Sequence, residues 1–300
     1  MESNNVNSNN KVLLIDGMAL LFRGYYANAY GGYIRKTAAG LPTNAVYGFL
    51  KYFFDALTNF KPTHVICCWD MGRQTFRSEK FANYKFNRPE APLDLIPQFD
   101  LVKEVVSSFS VPNIGLINFE ADDCIGTLAR QFSKIMNVNI LTGDHDLLQL
   151  VSDKVEVILL KKGPSNYAVY CPGTLFTDKQ LTAKQFIDLK GLIGDTSDNY
   201  PGVRGIGPKI ATKLLQEYDS IEGILANMEF LPKGVRDKIE ADLEMLHLCR
   251  ELATIKCDVP IHCPMEDSRW SPDYEIVKRK LIELEFKSLL RELPTNEVIS

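Results

Sequence analysis

The chain has 300 residues, a formal net charge of −4, and 45% hydrophobic and 24% charged residues. This length allows one large domain or two smaller ones, and the composition is that of a soluble globular protein rather than a disordered chain. No apolar run approaches the roughly 18 residues of a membrane-spanning helix. Residues 1–10 lack the pattern of a signal peptide and predict a short disordered tail. The seven cysteines show no zinc-binding spacing, which favours a reduced, cytoplasmic protein.

Strands alternate with helices in the first part of the chain. Apolar runs predict buried strands, and helical spacing of apolar residues predicts amphipathic helices between them. The predicted strands are 11–15, 64–69, 111–119, 138–142, 155–160 and, at an edge, 167–171; the predicted helices are 45–57, 101–109 and 123–135. This order is typical of an α/β fold with a central, mostly parallel sheet flanked by helices.

Beyond residue 177 the sequence is wholly helical. The predicted helices there are 183–192, 208–218, 220–228, 234–249 and 274–291. We therefore expect an α/β core at 11–180 and a helical region at 181–293.

Acidic residues follow four of the predicted strands. Because the carboxyl ends of parallel strands meet at one edge of a sheet, these side chains should converge there. Clustered carboxylates repel one another unless cations neutralise them, and hard oxygen ligands suit Mg²⁺ or Mn²⁺. The alternative is that individual residues cap helices or form turns, which is the commoner use of a lone aspartate. The pattern as a whole favours a metal site formed by Asp16, Asp70, Glu120, Asp122, Asp123, Asp144, Asp146, Asp195 and Asp198.

The net charge does not exclude a polyanionic substrate. Setting those nine carboxylates aside changes the balance from −4 to +5, before any bound metal is counted. Residues 72–97 form a basic and aromatic segment that is too long for a simple connection. A solvated charge run is the ordinary explanation, but this alternation suits a phosphate backbone with stacked bases. The residues concerned are Arg73, Arg77, Lys80, Lys85 and Arg88, interleaved with Phe76, Phe81, Tyr84 and Phe86.

The segment 202–209 is the sharpest local motif. Its three glycines, Gly202, Gly205 and Gly207, permit the positive φ angles of a tight hairpin between helices, and the following proline suits the first turn of a helix. The N–H groups of that helix start, with Lys209 beside them, would bind a phosphate without reading sequence. An ordinary turn between helices would need one glycine. Arg23 is either a further phosphate contact or a helix-surface arginine.

Seven motifs together resemble the 5′-nuclease (flap endonuclease) family. The resemblance is strongest to the 5′→3′ exonuclease domain of bacterial DNA polymerase I and its freestanding relatives, and it covers residues 11–293. In order, the motifs are Leu-Ile-Asp16-Gly with Phe-Arg23; Trp-Asp70 with Thr-Phe-Arg77-Ser-Glu; Tyr84-Lys85-Phe-Asn-Arg88; Glu120-Ala-Asp122-Asp123; Gly-Asp144-His-Asp146; Gly-Asp195-Thr-Ser-Asp198; and Gly202-Val-Arg204-Gly205-Ile206-Gly207-Pro-Lys209.

The resemblance implies a fold and a chemistry. It implies a PIN-like or resolvase-like core, a helical arch at about 71–100, and a helix-hairpin-helix-type (H3TH) DNA-binding motif at 202–209. It also implies two Mg²⁺ or Mn²⁺ ions that support hydrolysis of DNA phosphodiesters, as 5′→3′ exonuclease and 5′-flap endonuclease, in replication and repair. One ion would be held by Asp16, Asp70, Glu120 and Asp122, and the second by Asp123, Asp144, Asp146, Asp195 and Asp198.

The resemblance also implies roles for residues outside the acidic cluster. Lys85 and Arg77 would neutralise the scissile phosphate, Tyr84 would stack on the adjacent base, and a K⁺ ion would sit at the hairpin. DNA contacts are expected from Arg23, Arg88, Gly202, Arg204, Gly205, Ile206, Gly207 and Lys209, and the K⁺ carbonyls from Leu192, Ile193, Pro201, Val203 and Ile206.

The expected partners are branched or nicked DNA with a 5′ end or flap and RNA–DNA primers. They would be bound by a monomer associated with the nucleoid in the cytoplasm. Two other readings stay open, a non-catalytic binder of branched DNA and a PIN-like ribonuclease.

Overall fold

The computed structural model describes residues 10–29, 34–163 and 165–294. The tail predicted at 1–10 lies outside these residues except for Asn10. Among the helices of the described part, none is long and apolar enough to cross a membrane.

A six-stranded sheet forms the centre of the described chain. Its strands are β1 (Lys11–Asp16), β2 (His64–Cys68), β3 (Asn113–Ile114), β4 (Asn137–Thr142), β5 (Val155–Leu160) and β6 (Tyr167–Tyr170). They lie in the order β3-β2-β1-β4-β5-β6, in which all neighbours are parallel except β5 and β6. Successive strands are therefore added on one side of β1 up to β3 and on its other side from β4, and the carboxyl ends of the parallel strands meet at one edge on either side of that switch point.

Helices cover both faces of this sheet. They are α1 (Gly17–Asn28), α2 (Asn44–Phe60), α3 (Phe76–Lys80), α4 (Gln98–Ser108), α5 (Ala121–Phe132), α6 (Pro172–Lys179), α7 (Ala183–Ile193), α8 (Pro208–Tyr218), α9 (Ile221–Ala226), α10 (Lys233–Ala241), α11 (Leu243–Ala253), α12 (Tyr274–Glu283) and α13 (Leu289–Glu292). The predicted α/β class, with its mostly parallel sheet, is confirmed.

Strand β1 shows why both faces are covered. Its residues alternate between two cores: Val12 and Leu14 pack with α5, whereas Leu13 and Ile15 pack with α1 and α2. Successive side chains of a strand point to opposite faces, so a continuous apolar run requires helices on both sides.

Three predicted elements differ in extent. The strand predicted at 111–119 has two paired residues, Asn113 and Ile114, and it could not extend to 119 because Asn118 has a φ of 74°, which an extended strand does not allow. The helix predicted at 234–249 is divided into α10 and α11 at Asp242, whose side chain accepts a hydrogen bond from the Arg204 N–H. The helix predicted at 274–291 ends at Glu283, and Glu285 has a φ of 59°.

The segment expected to form a helical arch contains little helix. Between residues 71 and 97 it contains α3, five residues long, and otherwise turns. Within it Lys85 has a φ of 55° and its backbone N–H donates to the carbonyl of Asp198. The segment is thereby tied down onto the helical region instead of standing away from the sheet.

Candidate active site

A cavity of about 1560 Å³ lies at the carboxyl ends of the parallel strands. Acidic residues that follow β1, β2 and β4 line it, together with basic residues from five other parts of the chain. The acidic lining residues are Asp16, Asp70, Glu120, Asp122, Asp144, Asp146 and Asp195, and the basic ones are Arg23, Arg73, Lys85, Arg88, Lys103, Lys162 and Lys190. Seven carboxylates thus face a cavity that contains seven basic side chains.

Asp16 is fixed by the end of β1 and the start of α1. One of its oxygens caps α1 by accepting the Ala19 N–H at 2.9 Å, and the other accepts the Thr142 hydroxyl at 2.7 Å. Burial raises the pKa of Asp16 to about 6 against the effect of these hydrogen bonds, and the charges of Asp70 and Asp144 add to the rise. The carboxylate is held in place where negative charge is poorly solvated.

Asp70, after β2, and Asp122, in the first turn of α5, also line this cavity. Asp70 Oδ1 accepts the Ala121 N–H at 2.7 Å, which joins the end of β2 to this helix. Burial raises the pKa of Asp122 well above its usual range, and the charges of Asp144 and Asp16 act in the same direction. Uncompensated negative charge therefore accumulates between β1, β4 and α5.

Lys190 bridges the second group of carboxylates. Its Nζ lies 2.6 Å from Asp146 Oδ1 and also hydrogen-bonds Asp195. Burial and the charge of Asp144 raise the pKa of Asp146 to about 6, although Lys190 opposes the rise. No local pattern singles out Lys190, because it is one of several lysines in the last turn of a helix. Lys190 lies between Asp146 and Asp195 only because the turn after α7 brings Asp195 back to it.

Asp123 and Arg77 do not line the cavity. Arg77 donates from Nη1 and Nη2 to the two carboxylate oxygens of Asp123, at 2.7 and 2.8 Å, and from Nε to the carbonyl of Leu252. Asp123 is completely buried and also accepts the backbone N–H groups of Glu120 and Lys256. Asp123 and Arg77 thus bind each other in this structure instead of facing the cavity, and their predicted roles, metal ligand and phosphate contact, stay predictions. The pair fastens α3 and α5 to the end of α11.

Tyr84 lines the cavity but is largely buried, and its predicted stacking on a base stays a prediction. It is 7% exposed, its ring stacks on Tyr200 at 6.4 Å between centroids, and its hydroxyl donates to Glu120 and Asp198. Phe86 of the same segment also lines the cavity and is 80% exposed.

Lys85 and Arg88 hold acidic residues of the site. Lys85 Nζ lies 2.8 Å from Glu120 Oε2 and 3.9 Å from Asp198 Oδ2, and Arg88 donates to Asp198 at 2.6 Å. Asp198 is buried beneath these contacts and does not line the cavity, so the structure does not bring it to the other proposed ligands. Arg23 lines the cavity but donates to the carbonyls of Leu160 and Lys161 at 2.9 and 2.7 Å.

The hairpin between α7 and α8 has the geometry expected from its glycines. Gly202 and Gly205 have φ angles of 65° and 80°, whereas Gly207 is extended and precedes the first residue of α8. Arg204 and Lys209 are exposed, and Ile206 is buried.

Two of the carbonyls predicted to bind K⁺ are used within the hairpin. The carbonyl of Leu192 accepts the Val203 N–H at 2.8 Å, and that of Val203 accepts the Ile206 N–H at 3.0 Å. Each keeps its second lone pair, so the K⁺ site stays a prediction.

The donor set of the cavity fits hard divalent cations. Carboxylate oxygens suit Mg²⁺ and Mn²⁺, and burial beside other acids raises the pKa of Asp16, Asp122 and Asp146, so the negative charge of these groups is only partly compensated. Within the described ranges, however, no three Asp, Glu, His or Cys side chains are already grouped around one ion position. Instead, Lys85 pairs with Glu120, and Lys190 pairs with Asp146 and Asp195.

Two family models match the chain. The first, described as the 5′-3′ exonuclease N-terminal resolvase-like domain, covers residues 11–184, and the second, the 5′-3′ exonuclease C-terminal SAM fold, covers residues 181–275.

Relatives and solved structures agree with these models. The chain is 48% identical over 286 residues to a 5′-3′ exonuclease of Bacillus subtilis (strain 168), covering 95% of this chain and 97% of that protein. It is 38% identical over 292 residues to DNA polymerase I of Bacillus caldotenax, covering 96% of this chain and 33% of the polymerase. A T5 5′-exonuclease solved with zinc ions matches at a TM-score of 0.67 and 21% identity, over 92% of this chain and 99% of that one. The catalytic core of Rad2 in complex with DNA substrate matches at a TM-score of 0.58 and 17% identity, over 95% of this chain and 90% of that one.

The structural matches establish the fold, and the sequence matches establish the family. Models that together span residues 11–275 and a relative 48% identical over 95% of the chain bear out the predicted nuclease family. The chain belongs to the 5′-3′ exonuclease family.

Proposed function

We propose that this protein is a metal-dependent 5′→3′ exonuclease and 5′-flap endonuclease that hydrolyses DNA, and RNA primers, in replication and repair. The observation that carries the proposal is the cavity in which carboxylates from separate strand ends face basic side chains. The exonuclease from Bacillus subtilis, to which the chain is 48% identical, supports it.

The metal ions would be held by the carboxylates that line the cavity. We assign Asp16, Asp70, Glu120 and Asp122 to one Mg²⁺ or Mn²⁺ ion, and Asp144, Asp146 and Asp195 to the second. Two such ions supply a hydroxide for attack and stabilise the attacking and leaving oxygens of the phosphodiester. We place Asp123 and Asp198 outside the set that contacts the ions directly because, unlike the other seven acids, they do not line the cavity.

The basic residues of the cavity would bind the phosphate. The Lys85 ammonium pairs with Glu120 at 2.8 Å and lines the cavity, so it exchanges a carboxylate for a phosphate oxygen by rotating its side chain. Phe86 is placed to stack on a base of a single strand, in the role first expected of Tyr84. Exposed Arg204 and Lys209 would hold the duplex through its backbone.

The remaining features follow from this reaction. The substrate would be branched or nicked DNA with a 5′ end or flap, bound by a monomer in the nucleoid of the cytoplasm. The α/β core at 11–180 would carry the chemistry, and the helical region at 181–293 would hold the duplex. A K⁺ ion would stabilise the hairpin through the carbonyls of Ile193, Pro201 and their neighbours.

Cleavage of a 5′-labelled flap duplex with Mg²⁺, Mn²⁺ or EDTA tests the proposal. We expect short metal-dependent fragments cut near the junction, and we expect Asp122→Asn to abolish cleavage while DNA binding is retained. Asp100→Asn is the matched control, because that side chain is exposed and lies outside the cavity. Tight binding without cleavage in either metal would indicate a branched-DNA binder, and cleavage of single-stranded RNA with no action on flap DNA would indicate a PIN-like ribonuclease.

A further inference from the structure

Tyr200, in the turn between α7 and the hairpin, carries a buried hydroxyl that has no hydrogen-bond partner among the described residues. The side chain is 3% exposed and does not line the acidic cavity. Its ring packs in a small core with Cys249 and Leu252 of α11, and it stacks on the Tyr84 ring at an interplanar angle of 15°. These contacts fix the direction of the ring. A buried hydroxyl without a partner destabilises a fold, so its presence here requires an explanation.

The turn after α7 directs Tyr200 towards the second group of carboxylates. Asp195 and Tyr200 face each other across an antiparallel bridge, in which the Asp195 N–H donates to the Tyr200 carbonyl at 2.8 Å and the Tyr200 N–H donates back at 3.0 Å. Side chains of two residues paired in this way leave on the same side, with Cβ atoms roughly 4.5–5.5 Å apart. The Asp195 carboxylate pairs with Lys190, which also pairs with Asp146. Tyr200 therefore lies on the side of the turn that faces this ion pair.

The groups near the hydroxyl are acceptors. Burial raises the pKa of Tyr200, and the charges of Asp146, Asp195 and Asp198 raise it further, so the phenol keeps its proton and can donate. Two of these acids already have several donors. Asp198 accepts from Tyr84 and Arg88, and Asp195 accepts from Lys190 and from the N–H and hydroxyl of Ser197.

Asp146 is the acceptor that fits the Tyr200 hydroxyl. Of the three acids, its charge acts most strongly on Tyr200. Within the described part of the chain its one cationic partner is Lys190, at 2.6 Å from Oδ1. If the Lys190 ammonium leaves, the carboxylate of Asp146 needs another donor, and Tyr200 is a neighbouring donor with no other acceptor.

A divalent cation on Asp146 requires this exchange of partners. The carboxylate cannot serve the Lys190 ammonium and a cation at the same time, because the two positive charges repel each other at such short range. An acid that binds a metal is itself held by hydrogen bonds from neighbouring groups, which fix its orientation. A phenol suits this role where an ammonium does not, since it donates a hydrogen bond without adding positive charge beside the ion.

We propose that Tyr200 is a positioning residue of the second metal site, and that its hydroxyl donates to Asp146 when a cation replaces Lys190. The inference rests on the proposed function, which assigns Asp144, Asp146 and Asp195 to that ion. Tyr200 acts through Asp146 and contacts neither the ion nor the substrate. Its effect is on the affinity and position of one ion of the pair.

The test is Mn²⁺ binding to Tyr200→Phe, which removes only the hydroxyl. Calorimetry measures the affinity of each ion, and electron paramagnetic resonance of free Mn²⁺ counts the ions bound. Loss of a group that orients a metal ligand typically weakens metal binding by about 10–100-fold. We expect about tenfold weaker binding of one ion, the same one that Asp144→Asn weakens, and unchanged affinity for the other. Tyr218→Phe is the matched control, because this tyrosine lies in the last turn of α8 and does not line the cavity.

Urea unfolding in EDTA separates this role from a purely structural one. Tyr200→Phe should leave the midpoint unchanged or raise it, because the hydroxyl that it removes has no partner. Tyr84→Phe is the comparison, since the Tyr84 hydroxyl donates to two acids and its loss should lower the midpoint. In a Lys190→Met chain the phenol becomes the donor to Asp146, so adding Tyr200→Phe should lower the midpoint there.

Each outcome supports or contradicts one proposal. Wild-type affinity of Tyr200→Phe for both ions, while the wild type cleaves flap DNA, overturns this inference and leaves the proposed function standing. A lower unfolding midpoint of Tyr200→Phe in EDTA, with both ions weakened alike, indicates that the hydroxyl binds a structural water and also overturns it. Failure of the wild type to bind two Mn²⁺ ions contradicts the proposed function, and this inference falls with it.

Discussion

Replacing Asp123 by alanine should lower the free energy of unfolding strongly, although it is the neighbouring Asp122 that lines the cavity. The variant removes both carboxylate oxygens that pair with Arg77, whose side chain is 3% exposed, and leaves that buried charge with the more distant Glu120, at 3.6 Å, and two backbone carbonyls. It also leaves the N–H groups of Glu120 and Lys256 without their acceptor. Removing one partner of a buried pair costs about 3–5 kcal/mol. At roughly 2–4 °C per kcal/mol for a large domain, we expect the Tm to fall by about 10 °C.

Urea unfolding in EDTA measures this effect without any contribution from metal. Asp122→Ala is the matched control on the same helical turn, where burial and neighbouring acids raise the pKa of the carboxyl. Ionised Asp122 therefore destabilises the metal-free fold at neutral pH, and its removal should leave stability equal or higher. The double variant Arg77→Met with Asp123→Leu should recover much of the loss, because no buried charge then remains unpaired. Normal stability of Asp123→Ala, combined with a large loss of Mg²⁺ affinity, would show that Asp123 is a metal ligand after all.

Three further predictions concern the cavity and the hairpin. Asp16 and Asp146 have pKa values raised to about 6, so Mg²⁺ affinity measured by calorimetry should fall as the pH drops from 7.5 to 5.5, with proton release on binding; equal affinity at both pH values would contradict this. Lys190→Met should lower the Tm in EDTA, and Mg²⁺ should restore part of the loss; a Tm loss insensitive to Mg²⁺ would show that the lysine only packs. Gly202→Ala should cost several kcal/mol, because φ is 65° and the new Cβ would lie 2.3 Å from a backbone nitrogen, whereas Gly207→Ala, with nothing within 4 Å, should be nearly neutral in urea unfolding.

Local sequence pattern predicted a residue's position correctly where that position depends on a single strand or turn. The apolar run of β1 and the acid at its end place Asp16 at the carboxyl end of a buried strand. The same holds for the glycines at 202 and 205, because a tight hairpin needs positive φ at those positions.

Adjacent acids could not be told apart in this way. Asp122 and Asp123 are neighbours in a run of carboxylates, but helical geometry turns them about 100° apart, so that one faces the cavity and the other faces Arg77. The identity of that partner depends on α3 packing against α5, 46 residues away in sequence.

The sequence by itself determined the fold class, the family and the edge of the sheet where the acids converge, because strand period, glycine conformation and strand polarity are local properties. Only the tertiary structure decided which charges pair. Arg77 with Asp123 and Lys190 with Asp146 are contacts between distant segments, and their energies depend on burial that no local pattern reports.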